Sequence, residues 1–284
     1  MLNKKTANEF KLKLDDVCLS IKSSNNRFIE KLGETFIHTD SCQPDITLYV
    51  RFISKGENLE ETIIHITVDV ERWKEIKGQE AIDGYYCEQG RSIYVIFKEI
   101  AALFPRFYLL PLILRGYYNL KAKKEISNDL PNIFLHAAGI IRDKQGYIFA
   151  GPSGSGKTTV SQLSANRCVI VNDEMVLVSR IKGDYWVSGS PLKASIYNLD
   201  VKAPLKAIFM LQPGNHTSLR RIKGTKAISR LAPLLIFPSS DSLTKVEHIF
   251  RRIYIASVLI SQLPCYEMQF EKNDRFWKYI ECLL

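Results

Sequence analysis

The 284-residue sequence lacks the cysteine patterns of a zinc site or a disulfide framework, and it has no internal repeat. Its six cysteines are Cys18, Cys42, Cys87, Cys168, Cys265 and Cys282. None of them forms a Cys-x-x-Cys pair. No apolar segment of the signal-peptide type follows the first residues either. We therefore expect a cytoplasmic protein with reduced thiols.

One stretch of the sequence lacks acidic residues altogether. Between Val201 and Ser240 there are seven lysines and arginines and no aspartate or glutamate, in a chain with a net charge of +9. Such a stretch is a solvated basic face, a surface for an acidic protein or peptide, or an aid in neutralising phosphate charge. Nucleic acid is not an expected partner, because aromatic residues do not alternate with these bases as stacking requires.

A largely apolar segment at residues 100–120 has about the length of a membrane span. Pro105, Arg106 and Pro111 interrupt it, and Arg115 follows them. We therefore expect no membrane association and predict a buried helix and turn that join two domains.

The first third of the chain has the pattern of short strands. Apolar or alternating runs lie at residues 46–50, 62–68 and 92–97, separated by Gly, Asn, Asp and Lys. We predict a small β-rich N-terminal domain at residues 1–105, followed by a linker at 106–131.

From residue 132 to 284 the pattern is typical of a second, α/β domain. A strand is predicted at residues 133–141 and another at 147–150, with a turn between them. Further strands follow to about residue 212. Helices are predicted at residues 225–235, 244–261 and 274–284.

The most specific motif is the segment Gly151–Thr159, which fits the phosphate-binding (Walker A) pattern G-x-x-x-x-G-K-[ST]. It follows the apolar run Tyr147–Ala150 and precedes a helix-compatible run at 159–165. The glycines let successive backbone N–H groups face one centre, and a helix N-terminus adds positive potential. A Gly/Ser surface turn is the alternative, but the flanking elements favour a nucleotide site.

The motif predicts ATP and Mg²⁺ as cofactors. Lys157 would reach the β- and γ-phosphates, and the hydroxyl of Thr158 would bind the metal. The predicted nucleotide ligands are Gly151, Ser153, Gly154, Ser155, Gly156, Lys157, Thr158 and Thr159.

Two carboxylates follow the next predicted strand. Asp173 and Glu174 lie sixteen and seventeen residues after Lys157. This interval is long enough for a helix, a turn and a strand that returns beside the loop. Asp173 there could hold Mg²⁺ or accept the proton of an attacking hydroxyl. An acidic turn at a strand end is the alternative, but the short spacing is typical of small kinases.

His136 is the third candidate. It lies in the predicted strand before the turn at residues 143–146, which folds that strand beside the one leading into the loop. It could donate to a phosphate oxygen or assist proton transfer. A structural role within an apolar strand is the alternative.

Together, the segments His136–Gly139, Gly151–Thr159 and Val171–Glu174 resemble the C-terminal catalytic domain of HPr kinase/phosphorylase and its wider relatives, which include kinases that modify lasso peptides. The resemblance extends over about residues 130–284. It implies an α/β fold with a P-loop core related to phosphoenolpyruvate carboxykinase, and ATP and Mg²⁺ as cofactors.

The resemblance also implies a role for each matching residue. Lys157 matches the loop lysine, and Thr158 matches the metal-binding hydroxyl. Asp173 matches the general base that activates the acceptor serine, and it is also a candidate metal ligand. Glu174 matches the second acid, a metal ligand. His136 matches the family's active-site histidine.

The chain departs from HPr kinases where the loop ends in Lys-Thr-Thr rather than Lys-Ser-Glu, and in the stretch 189–201. These differences favour a relative with another hydroxyl acceptor. We therefore expect ATP-dependent phosphoryl transfer to a hydroxyl, most simply a serine of a peptide or protein. A small-molecule kinase and a non-catalytic nucleotide sensor are the alternatives.

We also expect a cation in or near the basic stretch to neutralise charge on the phosphoryl group during transfer. The candidates are Lys193, Lys206, Arg220 and Arg221. Members of the resembled family often assemble, so the resemblance allows a homo-oligomer.

Overall fold

The computed structural model describes residues 7–53, 57, 73–77, 82–103, 105–124, 132–198, 201–212, 214–237 and 244–283. The chain divides into two compact units, Met1–Lys123 and Lys124–Leu284. Each unit combines strands with helices, so the predicted α/β class is confirmed.

The first unit is built on a six-stranded sheet with the order β1-β2-β3-β6-β5-β4. Helix α1 begins where the Asn25 side chain accepts the backbone N–H of Phe28 at 3.0 Å, and the helix buries Phe28 and Leu32. The elements are β1 (Asn8–Leu14), β2 (Val17–Ser23), α1 (Asn26–Thr35), β3 (Ile46–Ile53), β4 (Lys74–Lys77), β5 (Ile82–Gln89), β6 (Ser92–Lys98), a 3₁₀ turn (Glu99–Leu103) and α2 (Pro105–Lys124).

Two of the three strands predicted here are confirmed, as β3 and β6. The third, predicted at residues 62–68, lies outside the described residues.

Helix α2 corrects the predicted helix and turn, because it runs unbroken through Pro111. Leu109, Ile113 and Tyr117 are fully buried. Much of the predicted linker is therefore a packed helix, and the two units divide at residues 123 and 124. Within the described residues, no helix is both long and apolar enough to cross a membrane.

The prediction that all six cysteines are reduced thiols is wrong for one pair. Cys18 and Cys42 form a disulfide, with their Cα atoms 6.0 Å apart. The segment before β3 returns to β2, where Asp45 donates its N–H to the Cys18 carbonyl at 2.8 Å and accepts the Cys18 N–H at 3.0 Å. Because the two cysteines are 24 residues apart, no local sequence pattern indicates that they pair. Because disulfides are typical of oxidising compartments, a cytoplasmic location stays a prediction.

The second unit contains the segments singled out in the sequence. Its elements are β7 (Ile133–Leu135), β8 (Ala137–Arg142), β9 (Gln145–Ala150), α3 (Lys157–Ser164), β10 (Val169–Asn172), β11 (Val176–Ile181), β12 (Asp184–Gly189), β13 (Lys202–Leu211), β14 (Ser218–Ile222), α4 (Gly224–Leu231), a 3₁₀ turn (Ala232–Leu234), β15 (Leu235–Ile236), α5 (Lys245–Gln262), β16 (Cys265–Gln269) and α6 (Phe276–Leu283).

The strand predicted at residues 133–141 is two strands in the structure. β7 pairs with β11 and β15, whereas β8 pairs with β9 and β10. The break falls at His136, whose backbone N–H donates to the Leu234 carbonyl at 2.9 Å. The chain therefore changes its strand partners at the predicted site histidine.

Both faces of the β10-β8-β9-β13-β16-β14 array are covered. One core, beneath α3 and α6, is rich in aromatics such as Phe149, Phe209 and Trp277. The Trp277 ring N–H donates to the Ser164 hydroxyl at 2.9 Å and so links these two helices. The other core lies between this array, strands β7, β11 and β12, and helices α4 and α5.

Candidate functional site

The candidate site lies at one edge of this array. Strands β9, β13 and β16 are parallel to one another. β10 runs in the same direction, because it is antiparallel to β8 and β8 is antiparallel to β9. The carboxyl ends of four strands therefore share an edge, which is where open α/β sheets bind ligands.

The glycine-rich loop, residues 151–156, connects β9 to α3 at this edge. Gly156 precedes α3 with φ +103°, a left-handed conformation that favours glycine, and a Cβ there would lie 2.9 Å from the Phe270 ring. At Gly151 a Cβ would lie 2.6 Å from the Ser155 hydroxyl oxygen. The first backbone N–H groups of α3 have no side-chain cap, because the N-cap residue, Gly156, has no side chain.

Lys157, the first residue of α3, turns back into the loop. Its Nζ donates to the carbonyl oxygens of Gly151 at 2.9 Å and Pro152 at 3.0 Å, and the residue is 7% exposed. Burial lowers the pKa of its ammonium group, against the opposing charge of Glu174. A cation is thus held inside the loop.

The remaining predicted nucleotide ligands differ in exposure. Ser153, Gly154 and Thr158 are exposed, and Thr159 is half-buried. Ser155 is buried, and its hydroxyl has no hydrogen-bond partner within the described residues. Buried hydroxyls in proteins usually have a hydrogen-bond partner, which can be an ordered water or a bound group. The loop therefore combines a buried cation, Lys157, with a buried hydroxyl, Ser155.

Asn172 holds the turn that carries the two acids, a role the sequence pattern does not reveal. Its fully buried side chain accepts the backbone N–H groups of Glu174 at 2.8 Å and Met175 at 2.9 Å. Its amide donates to the Leu192 carbonyl at 3.0 Å. The Asn172 side chain therefore holds the backbone of the turn that carries Asp173 and Glu174, and it connects this turn to the segment at Leu192.

Asp173 is 2% exposed, and one of its carboxylate oxygens accepts the backbone N–H of Ile196 at 3.2 Å. The segment that supplies this N–H is itself tied to β10, because Asn198 donates its backbone N–H to Val171 and its side-chain amide to Ile170, both at 2.8 Å. The hydrogen bond from this segment orients one oxygen of the Asp173 carboxylate.

His136 and Glu174 come together across the start of β8. His136 Nδ1 lies 3.6 Å from Glu174 Oε1, and each side chain is 31% exposed. The charge of Glu174 also opposes the lowering of the Lys157 pKa by burial. The structure therefore brings two of the predicted site residues, His136 and Glu174, together.

Within the described residues, no group of three or more His, Cys, Asp or Glu side chains is placed to enclose a metal ion. Mg²⁺ at phosphate sites commonly uses only one or two carboxylates, with substrate phosphates and water as the other ligands. Thr158, Asp173 and Glu174 offer the oxygen donors for such a site.

The basic candidates lie in different places. Lys206 is exposed next to Leu205, which is in register with Gly146, at the end of β9 away from the loop. Arg220 instead bonds Glu267 in β16 at the carboxyl edge. Arg221 is exposed and in register with Tyr266 of β16, whereas Lys193 follows Leu192, whose carbonyl accepts the Asn172 amide, so the Lys193 backbone lies beside the turn of the two acids.

The comparisons place this chain in a family. Residues 124–284 match the family described as SynChlorMet cassette protein ScmC. Since the match covers more than half of the chain, the protein belongs to this family. It is not the HPr kinase/phosphorylase family named from the motifs, so that resemblance stays a prediction. Comparison with curated proteins found no match.

One solved structure with a detectable likeness is the HPr(Ser) kinase/phosphatase from Coxiella burnetii. It matches with a probability of 1.00, 11% sequence identity and a TM-score of 0.29. The match covers 53% of this chain and 92% of that chain. At this TM-score the likeness carries no argument about activity.

Proposed function

We propose that this protein is an ATP- and Mg²⁺-dependent kinase that transfers the γ-phosphate to a hydroxyl, a serine of a peptide or protein. One observation carries the proposal. A loop that buries a lysine among its own carbonyls shares a sheet edge with a buried, oriented carboxylate. Phosphoryl transfer depends mainly on positioning and charge neutralisation, which these groups can supply.

In this proposal the loop holds the phosphates. Backbone N–H groups of residues 153–158 would donate to them, except that of Ser155, which donates to the Pro152 carbonyl at 3.2 Å, and Lys157 would exchange its carbonyl partners for the β- and γ-phosphates. Thr158 and Glu174 would hold Mg²⁺, which would supply charge neutralisation for the transferring group.

Asp173 acts as the general base. It accepts the proton of the acceptor hydroxyl while the hydroxyl oxygen forms its bond to the γ-phosphorus and the bond to the β-phosphate oxygen breaks. The hydrogen bond from Ile196 keeps one carboxylate oxygen oriented and leaves the other for the acceptor. His136, beside Glu174, donates to a phosphate oxygen when it is protonated.

The chain order after the acids favours a peptide or protein acceptor over a small molecule. Small-molecule kinases of the shikimate or gluconate type are built as repeated βα units. Here β10 is followed by β11, β12 and β13, and the pairs β11–β12 and β12–β13 are antiparallel.

Incubation with ATP labelled in the γ-position tests the proposal. The protein with Mg²⁺ is given serine peptides in one series and small hydroxy compounds in another, with EDTA as the control. We expect label on a peptide serine, and none when Mg²⁺ is removed. Label on small compounds alone would favour a small-molecule kinase. Tight ATP binding without any transfer would favour a nucleotide sensor and overturn the proposal.

A further inference from the structure

A second charged group lies at the same sheet edge, around Glu267 of β16. This carboxylate is only 8% exposed, and three cations contact it. Lys226 Nζ lies 2.8 Å from one oxygen, and Arg230 Nη1 lies 2.6 Å from the other. Arg220 donates through Nε at 3.0 Å and also through Nη2. We call Arg220, Lys226 and Arg230 the cation cluster.

The cation cluster carries more charge than Glu267 neutralises. Three cations share one carboxylate, which leaves a surplus of two positive charges. Burial by itself would raise the pKa of Glu267, but the hydrogen bonds from Lys226 and Arg220 and the charge of Arg230 hold it at about 2. The carboxylate therefore stays ionised at neutral pH and holds the three cations in place.

The strand register fixes where the cation cluster lies relative to the loop. Glu267 is in register with Met210 of β13, which is in register with Ala150, the residue before the loop. Since adjacent strands are about 4.8 Å apart, the Glu267 backbone lies about 10 Å from that of Ala150. Asp173 follows β10, two strands from β9 in the other direction. The loop therefore lies between the acids and the cation cluster.

The cation cluster is open to a large ligand. The side chain of Arg220 is 71% exposed, that of Lys226 is 45% exposed and that of Arg230 is 31% exposed. Among the described strands, β14 pairs only with β16, so Arg220 lies on the outermost strand of this flank. The loop holds a cation of its own, Lys157, whereas the cation cluster lies two strands away and contacts Glu267.

We propose that the cation cluster binds an acidic segment of the peptide acceptor. This inference rests on the proposed kinase function and names the substrate class. Glu267 is a positioning residue that holds the three cations ready for carboxylates. The distance from β10 to β16 is four strand spacings, or about 19 Å, which an extended peptide covers in about six residues. The acidic group therefore lies about six residues from the serine that is phosphorylated.

The test uses the 284-residue protein and fluorescent synthetic peptides with one serine and two glutamates about six residues away. A matched peptide carries glutamines instead. Binding is measured by anisotropy for wild type, R220Q/K226Q and the control R221Q/K223Q, which removes two exposed neighbouring cations. We expect wild type and control to bind the glutamate peptide at least tenfold more tightly than the glutamine peptide. R220Q/K226Q should lose this preference, and R220Q, altered at a mostly exposed side chain, should reduce it if the double variant fails to fold.

Three results would overturn the inference. Wild type could bind both peptides equally. The control could lose the preference as fully as R220Q/K226Q, which would indicate an unspecific basic face. R220Q/K226Q could lose ATP affinity tenfold, which would assign the cation cluster to the nucleotide.

The binding readout also separates the two proposals. Charge-dependent binding without transfer to any serine would contradict the kinase function and leave the cation cluster's role intact. Equal transfer to the glutamate and glutamine peptides would support the kinase function and contradict the role proposed for the cation cluster.

Discussion

At the scale of single residues, the glycine-rich loop depends on Gly156. Its φ of +103° and the 2.9 Å approach of the Phe270 ring leave no room for a side chain. We expect Gly156→Ala to lower ATP affinity at least tenfold, because the first amides of α3 would have to shift. The dissociation constant for ATP, measured by calorimetry, checks this.

Gly183→Ala is the matched control. Gly183 has a similar φ of +94°, and a Cβ there would meet nothing within 4 Å. Its substitution should lower stability by about 1–2 kcal/mol through backbone strain alone and leave ATP affinity unchanged. Equal ATP affinity in both variants would contradict the role given to the loop.

The sequence predicts some residues of the site better than others. Lys157 and Asp173 stand in motifs whose spacing reflects phosphate chemistry, so their shared edge could be expected. Asn172 bonds backbone groups, and such bonds leave no distinctive spacing. Glu267 has its cation partners at least 37 residues away in sequence, a pairing that only strand register creates.

At the scale of elements, Glu267 joins β16, β14 and α4. Because its pKa in the folded protein, about 2, is below its ordinary value of 4.5, the stabilisation is present above about pH 4.5 and is lost as the pH falls toward 2. We expect a loss of about 2–3 kcal/mol across this window in wild type. Glu267→Gln should be less stable than wild type at pH 7, and its stability should not show this loss between pH 4.5 and pH 2. Urea unfolding at pH 7 and pH 3 measures both effects.

Glu281→Gln is the control for an exposed ion pair. Glu281 contacts Arg142 and is 49% exposed, so its loss should change stability by no more than about 1 kcal/mol. If Glu267→Gln showed the same pH dependence as wild type, the three-cation arrangement around this acid would be contradicted.

The disulfide is a second feature that joins elements, since it ties β2 to the segment before β3. We expect four reactive thiols in the denatured, unreduced protein and six after reduction. A loop closed over 24 residues should add about 3 kcal/mol to stability. Thiol titration with and without reductant measures the first number, and six thiols without reductant would contradict the pairing.

Elements were predictable where local pattern decides them. α3 and β9 flank the loop as the apolar runs indicate. The strand at residues 133–141 was not resolved into two, because its run of apolar residues gives no sign of the partner change at His136. The three helices predicted after residue 220 are present, and α4 ends at Leu231, before Pro233.

At the scale of the whole molecule, the ScmC family match covers the second unit, which also carries the loop, the two acids and the cation cluster. The α/β class and the β-rich first third could be read from composition and periodicity. The division between the units could not, because α2 has the apolar character of a connecting segment but packs within the first unit.

The measurement that tests the central claim most directly is the rate of γ-phosphate transfer by Asp173→Asn at saturating ATP. The amide keeps the shape of the buried carboxylate but cannot take the acceptor proton. We expect ATP affinity within about threefold of wild type and a transfer rate lower by about 10²–10⁴-fold. Lys157→Met, in the same assay, should lose ATP binding itself. Transfer by Asp173→Asn at the wild-type rate would contradict the account.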